Sequence, residues 1–177
     1  MNADGILSGV NSHKGIKRVN ATLPTSSNAF LAIFWGGLAA GIGDITQAIV
    51  AWHFQAGVKP IRIWQSVASG LLGPDAFQGG LKTAMLGGVL HFFIAFSAAT
   101  VYYIASRKLA FMTTHAVLSG LIYGEAVFAF MYFVVLPLSR AGKVHYTQAT
   151  ILTGPIGHTL LVGLPIALAV KRWAPLK

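Results

Sequence analysis

Four apolar runs constrain this chain more than anything else in it: roughly Phe30 to Phe54, Gly80 to Ile104, Ala116 to Leu136 and Ala149 to Val170. Each falls within the roughly 17 to 25 residues that cross a hydrocarbon core of about 30 Å as an α-helix. Transmembrane strands of about 10 residues alternate apolar and polar positions, and these runs are apolar all round. A backbone exposed to lipid must satisfy its own hydrogen bonds, which leaves the helix. The predicted fold is therefore all-α: a polytopic membrane protein built as a four-transmembrane-helix bundle over residues 29–172. Composition agrees, since 10% charged residues against 55% hydrophobic ones leave too little charge to cover a soluble surface.

The flanks read differently. Residues 1–28 are polar, rich in Gly, Ser and Asn and without periodicity, and are expected to form a mobile N-terminal tail; residues 173–177 form a short C-terminal one. The first apolar run lies too far in, and is too long, for a cleavable signal peptide, so it is expected to remain as an anchor. Between runs one and two, the stretch from Pro60 to Pro74 is too short and too polar to cross. Pro60 suits a first helical position and Gly73-Pro74 a stop. Arg62, Gln65, Ser66 and Ser69 share one helical face, and Trp64, Val67, Ala68 and Leu71 share the other. That pattern predicts a short amphipathic helix lying in the membrane interface, with an irregular loop as the alternative.

The chain carries 13 Lys+Arg against 4 Asp+Glu and no Cys, so thiolate metal sites and disulfides are excluded. The bases sit between apolar runs, as lipid headgroup contacts and topology signals do, and the expected partner is the bilayer, not nucleic acid. Lys14, Lys17, Arg18, Arg107, Lys108, Lys171, Arg172 and Lys177 fall on one side and Lys59, Arg62, Lys82, Arg140 and Lys143 on the other. This bias places both termini in the cytoplasm. Trp35, Trp52, Trp64, Tyr102, Tyr103 and Trp173 lie near span ends, as an aromatic belt requires.

Four ionisable residues fall well inside the spans, one per helix: Asp44, His91, Glu125 and His158. Counting about 1.5 Å per residue from the span ends puts all four at one level near the midplane. A charge there costs a few kcal/mol, so these side chains are expected to face the interior and find partners there. Small residues mark the packing faces, with Gly37, Ala40, Gly41, Asp44, Gln47 and Ala48 on helix one. Helix two does the same with Ala84, Gly87, Gly88, His91 and Ala95, and Gly120-xxx-Gly124 marks helix three. Asp44 and His91 are expected to face each other. Glu125 is harder to place because Leu118, Leu121, Ile122 and Phe128 share its side. Gln47, Tyr123 and Tyr132 are expected to support the site. On helix four, Pro155 and Pro165 each free a backbone carbonyl one turn earlier, near His158. His13, His53, His115 and His145 lie in flanks and read as solvated.

Three functional classes fit these residues. In the first, the ring handles protons, an ion or a small polar solute, with the imidazoles changing charge near neutral pH and the carboxylates holding or passing the proton. One protomer of four helices leaves little room for a pore, so a homo-oligomer is expected. In the second, His91 and His158 ligate a b-type haem, or all four residues hold a divalent metal such as zinc, manganese or iron. In the third, the polar contacts only glue an accessory or scaffold protein together. No phosphate loop, His-Glu-x-x-His or Gly-x-Ser-x-Gly is present, so nothing argues for an enzyme.

Three segments also carry a likeness: Arg62 through Gly73, Leu90-His91-Phe92-Phe93-Ile94-Ala95-Phe96 with Tyr102 through Arg107, and Val134-Val135-Leu136-Pro137-Leu138-Ser139-Arg140. Over residues 30–172 the chain resembles a functionally uncharacterised family of small four-span bacterial inner-membrane proteins. The resemblance implies a bacterial inner membrane and a four-helix unit, and it assigns no catalytic or binding residue.

Overall fold

The computed structural model describes residues 26–142 and 148–174. Helix one runs Ser26–Ala56, helix two Gly80–Lys108 and helix three Ala116–Leu138, and helix four covers residues 148–173. All four are long and apolar enough to cross a membrane, and the described residues contain no strand. The tail expected over 1–28 lies outside the described residues as far as residue 25, and helix one already begins at Ser26.

The packing is that of a bundle in lipid, with small side chains inside and large ones outside. Ala32, Ala40, Ala95, Ala99, Ala116 and Ala167 are buried, while Phe30, Phe54, Leu81, Met85, Val89 and Phe133 are exposed. Lipid tails solvate large apolar groups well, so close backbone contact is what draws the helices together. Helix one lies between helices two and four. Gly37 and Gly41 receive the rings of Phe96 and Phe92, and Gly36 and Gly43 approach Ile166 and Leu161. Helix three packs on helix four through Gly120, Gly124 and Gly163; a Cβ on Gly163 would lie 2.0 Å from the Gly120 carbonyl oxygen. Helices two and three meet through side chains, as where the Tyr123 hydroxyl donates to the Ala98 carbonyl at 2.7 Å.

Two of the four helices are not α-helical throughout. Helix three widens to a π turn over Met131–Val135 and helix four over His158–Gly163. Each π turn ends directly before a Leu-Pro pair, Leu136-Pro137 or Leu164-Pro165. Proline has no N–H, and its ring crowds the carbonyl a turn back, so an extra residue in that turn relieves the clash. The leucine N–H then bonds five residues back, Leu136 to Met131 and Leu164 to Thr159.

The connecting helix forms as Pro60–Leu72 and stops at Gly73, whose φ of 72° suits a residue without Cβ. The expected amphipathic helix forms, and its packing adds a detail to the two faces. Gln65 and Ser69 are buried against protein, and Leu71, expected on the apolar face, is 53% exposed. Gln65 donates to the Gly80 carbonyl at 2.9 Å and Arg62 to the Phe77 carbonyl at 2.9 Å, which ties this helix to the start of helix two. It then crosses helix two at Gly87, where a Cβ would stand 1.8 Å from the Trp64 carbonyl oxygen. The polar face is thus divided: Gln65 and Ser69 are buried against protein, while Arg62 and Ser66 are exposed. Tyr102 departs from the aromatic belt. It is fully buried, and its hydroxyl meets the Met112 carbonyl at 2.9 Å and Ser119 at 2.8 Å.

Gly87 and Gly88 provide a paired test. Gly87→Ala forces a methyl into backbone and is expected to cost about 2–3 kcal/mol. Gly88→Ala meets only the Trp64 ring at 3.7 Å, and is expected to be neutral or to gain about 0.5–1 kcal/mol of helix propensity. Unfolding in mixed detergent micelles, followed by circular dichroism, measures both.

Candidate functional site

Asp44 of helix one and His158 of helix four face each other, with Nδ1 3.7 Å from Oδ1 and the side chains 18% (His158) and 23% (Asp44) exposed. That separation is beyond hydrogen-bond reach, because Nδ1 is engaged elsewhere: it lies 3.1 Å from the Gly154 carbonyl one turn back. A carbonyl oxygen can only accept, so Nδ1 carries the proton and, in the neutral ring, Nε2 keeps its lone pair. Among the described residues His158 is the one base within 4 Å of Asp44, and His91 and Tyr132 line the same space. The carboxylate makes no hydrogen bond to His158, whose Nδ1 proton goes to Gly154, and it faces that shared space.

His91 repeats this logic on helix two. Its Nε2 donates to the Gly41 carbonyl of helix one at 2.8 Å, which leaves Nδ1 as the acceptor of a neutral ring. Trp64 and Phe92 stand edge-to-face with it at 6.0 and 5.5 Å. His91 thus reaches helix one three residues before Asp44 in sequence; its ring bonds the Gly41 carbonyl in place of the Asp44 carboxylate, while both side chains line one space, as expected of residues that face each other. Carbonyl and carboxylate lie on the same small-residue stripe, and the imidazole meets the nearer of the two.

Asp44, His91 and His158 nevertheless line one central chamber of about 190 Å³, together with Tyr132 and Met131 from the π turn of helix three. A second chamber of about 140 Å³ extends toward Trp52 and Gln55, and Asp44, Tyr132 and His158 belong to its wall as well. The Asp44–His158 pair thus stands on the boundary common to two spaces. Both π turns contribute to it, and the prolines that follow them leave carbonyls of those turns without a helical donor.

Glu125 does not join the group. It is exposed on the flank of the bundle, where Thr159 Oγ1 donates to its Oε1 at 2.5 Å. Its level is as expected, since Thr159 follows His158 directly, but its rotation is not. Gly124 packs onto the backbone of His158 and Thr159, with a Cβ there falling 2.4 Å from the His158 carbonyl oxygen. The next residue lies about 100° further round the helix and so misses the interior. This corrects the four-residue metal set: among the described residues no group of three or more His, Asp and Glu gathers to hold an ion. A bis-imidazole haem does not fit either. The Nε2 of His91 is bonded to Gly41, its ring is packed against Trp64 and Phe92, and a chamber of about 190 Å³ admits no macrocycle.

Of the supporting residues, Gln47 lines the second chamber and packs against Gly157, and Tyr132 lines both chambers. Tyr123 lies elsewhere, on an apolar cleft beside Ala98. Trp64, Phe128, the Gly41 and Gly154 carbonyls and the two π turns were not foreseen. The Leu-Pro pairs were a readable signal for the turns. The ring of Phe128, 5.3 Å from that of His158, had none.

His91→Leu removes an interhelical hydrogen bond and is expected to lower stability by about 1–2 kcal/mol. Glu125→Gln, on the flank, is expected to change it by less than about 0.5 kcal/mol. Detergent unfolding of the two variants checks this, and a Glu125→Gln loss as large as that of His91→Leu would contradict the placement. Compared with protein-family models, with curated proteins and with solved structures, the chain matches none.

Proposed function

We propose that this multi-pass membrane protein binds a proton, a cation or a small solute rich in hydrogen-bond donors at Asp44 and His158, and passes it between the two chambers. The observation that carries this reading is the Asp44 carboxylate, 3.7 Å from His158 Nδ1 and on a wall common to both spaces. A purely structural pair would close into a hydrogen bond, since an unsatisfied carboxylate deep in a bundle costs free energy. Here the imidazole spends its proton on Gly154. Both imidazoles have given their ring protons to carbonyls, so the Asp44 carboxylate beside them favours a donor or a positive charge.

The reading includes a bacterial inner membrane, with both termini cytoplasmic. It is supported by the bias of Lys and Arg toward the terminal side and by the resemblance to small four-span bacterial proteins. It also includes a homo-oligomer. Glu125, exposed on the flank of helix three, is a polar group that a neighbouring copy would shield from lipid.

Purified protein in liposomes, with a pH-sensitive dye inside and an imposed pH gradient, provides the test. Wild-type protein is expected to dissipate the gradient faster than empty liposomes. Asp44→Asn and His158→Ala are expected to slow it by at least about tenfold, which corresponds to about 1.4 kcal/mol, while Glu125→Gln retains the wild-type rate. Unchanged flux in Asp44→Asn would remove the proposal.

A further inference from the structure

The central chamber adjoins a cleft of about 390 Å³ between helices two and three, and the side chains of Ile94, Ala98, Val127 and Met131 line both spaces. The cleft is apolar, and its rims are outward-facing: Phe93 is 68% exposed and Phe130 57%. A space of this size lies within the roughly 300–1,000 Å³ typical of small-molecule sites. Tyr123 stands at one end, with its hydroxyl held by the Ala98 carbonyl at 2.7 Å and its ring against Tyr102 at 5.0 Å. An extended apolar chain would therefore lie along Phe93, Val127 and Phe130, with its inner end at the polar chamber.

The chemistry of the two ends differs, and that difference selects the ligand. At the polar end stand the Asp44 carboxylate and two imidazoles whose protons are already given to the Gly41 and Gly154 carbonyls. An anionic head would meet the Asp44 carboxylate with like charge, and the two imidazole protons it could accept are already given to carbonyls. A protonated amine offers three donors and an opposite charge. The depth of the site adds a second filter. Phospholipid headgroups stay in the interface, whereas Asp44 lies near the middle of helix one, so only a small head can be drawn that far in.

Resting on the reading of Asp44 and His158 as a site for donor groups, we propose that the ligand is a single-chain amphiphile entering sideways from the bilayer. Its primary amine head occupies the chamber at Asp44, and its alkyl chain lies in the cleft between helices two and three. Affinity comes from burying the chain and specificity from the acceptors, as in most small-molecule sites.

The test uses the full chain in phosphatidylcholine nanodiscs, a lipid without a primary amine, and a dodecylamine carrying a diazirine in its alkyl chain. After photolysis, labelled peptides are mapped by mass spectrometry. Saturable labelling is expected within residues 93–101 and 123–131. Dodecylamine should compete for it at least about tenfold more effectively than dodecanoate. Asp44→Asn should reduce labelling by removing the charge, and Ala126→Trp by filling the cleft from its lipid side. Gel filtration and circular dichroism confirm that both variants are folded, and a variant that fails this check is replaced by Asp44→Ser or Ala126→Phe. Labelling that is non-saturable, spread over lipid-facing positions such as Leu81 and Val89, or equal in Asp44→Asn overturns the proposal. If proton flux still depends on Asp44 in that case, the donor site stands and only the amphiphile falls. If neither flux nor labelling depends on Asp44, both readings fall together.

Discussion

Close approach of helix backbones at glycine is the constraint on which the remaining geometry depends. In hydrocarbon, large apolar side chains gain little by leaving lipid, so helices associate where their backbones can touch. Gly163 against Gly120 and Gly124 locks helix three onto helix four, and Gly87 under Trp64 locks the connecting helix onto helix two. These contacts set rotation as well as distance. Because Gly124 faces helix four, Glu125 cannot face the interior; because Gly41 faces helix two, its carbonyl lies within reach of His91.

The same contacts explain why the polar groups are satisfied so differently. Where backbones touch, carbonyls become available to neighbouring helices, as Gly41 does to His91, while His158 bonds the Gly154 carbonyl of its own helix. Asp44 is then left with an imidazole that is near but already committed. A low-dielectric interior makes an open acceptor expensive, and such groups persist where something else fills them. The π turns act in the same direction. Each enlarges the helix where Tyr132 or His158 meets the chamber, and each exists because a proline follows it.

Much of the fold was legible in the chain. The four spans, the connecting helix and its stop at Gly73 follow from run length, Pro60 and Gly73, which are local signals. The common level of Asp44, Glu125 and His158 followed from residue counts, because a helix rises by a constant amount per residue. Rotation was harder. Gly120-xxx-Gly124 already marked the packing face of helix three, and the angle from Gly124 to Glu125 would have turned the carboxylate outward. The partners of the connecting helix were not legible either. Its polar stripe signals satisfied hydrogen bonds, and a sequence does not say that the acceptors for Arg62 and Gln65 are the carbonyls of Phe77 and Gly80.

By itself, then, the sequence determined that the chain is helical, how many times it can cross a bilayer and at what depth its ionisable groups lie, because these depend on hydrophobicity and on distance along one helix. Only the tertiary structure decided which groups meet. Asp44 joins His158 and not His91, Glu125 leaves the interior, and the cleft between helices two and three opens beside Tyr123. Pairing depends on the relative rotation and spacing of different helices. Those are set by contacts between residues far apart in sequence, such as Gly120 and Gly163, which no single helix contains.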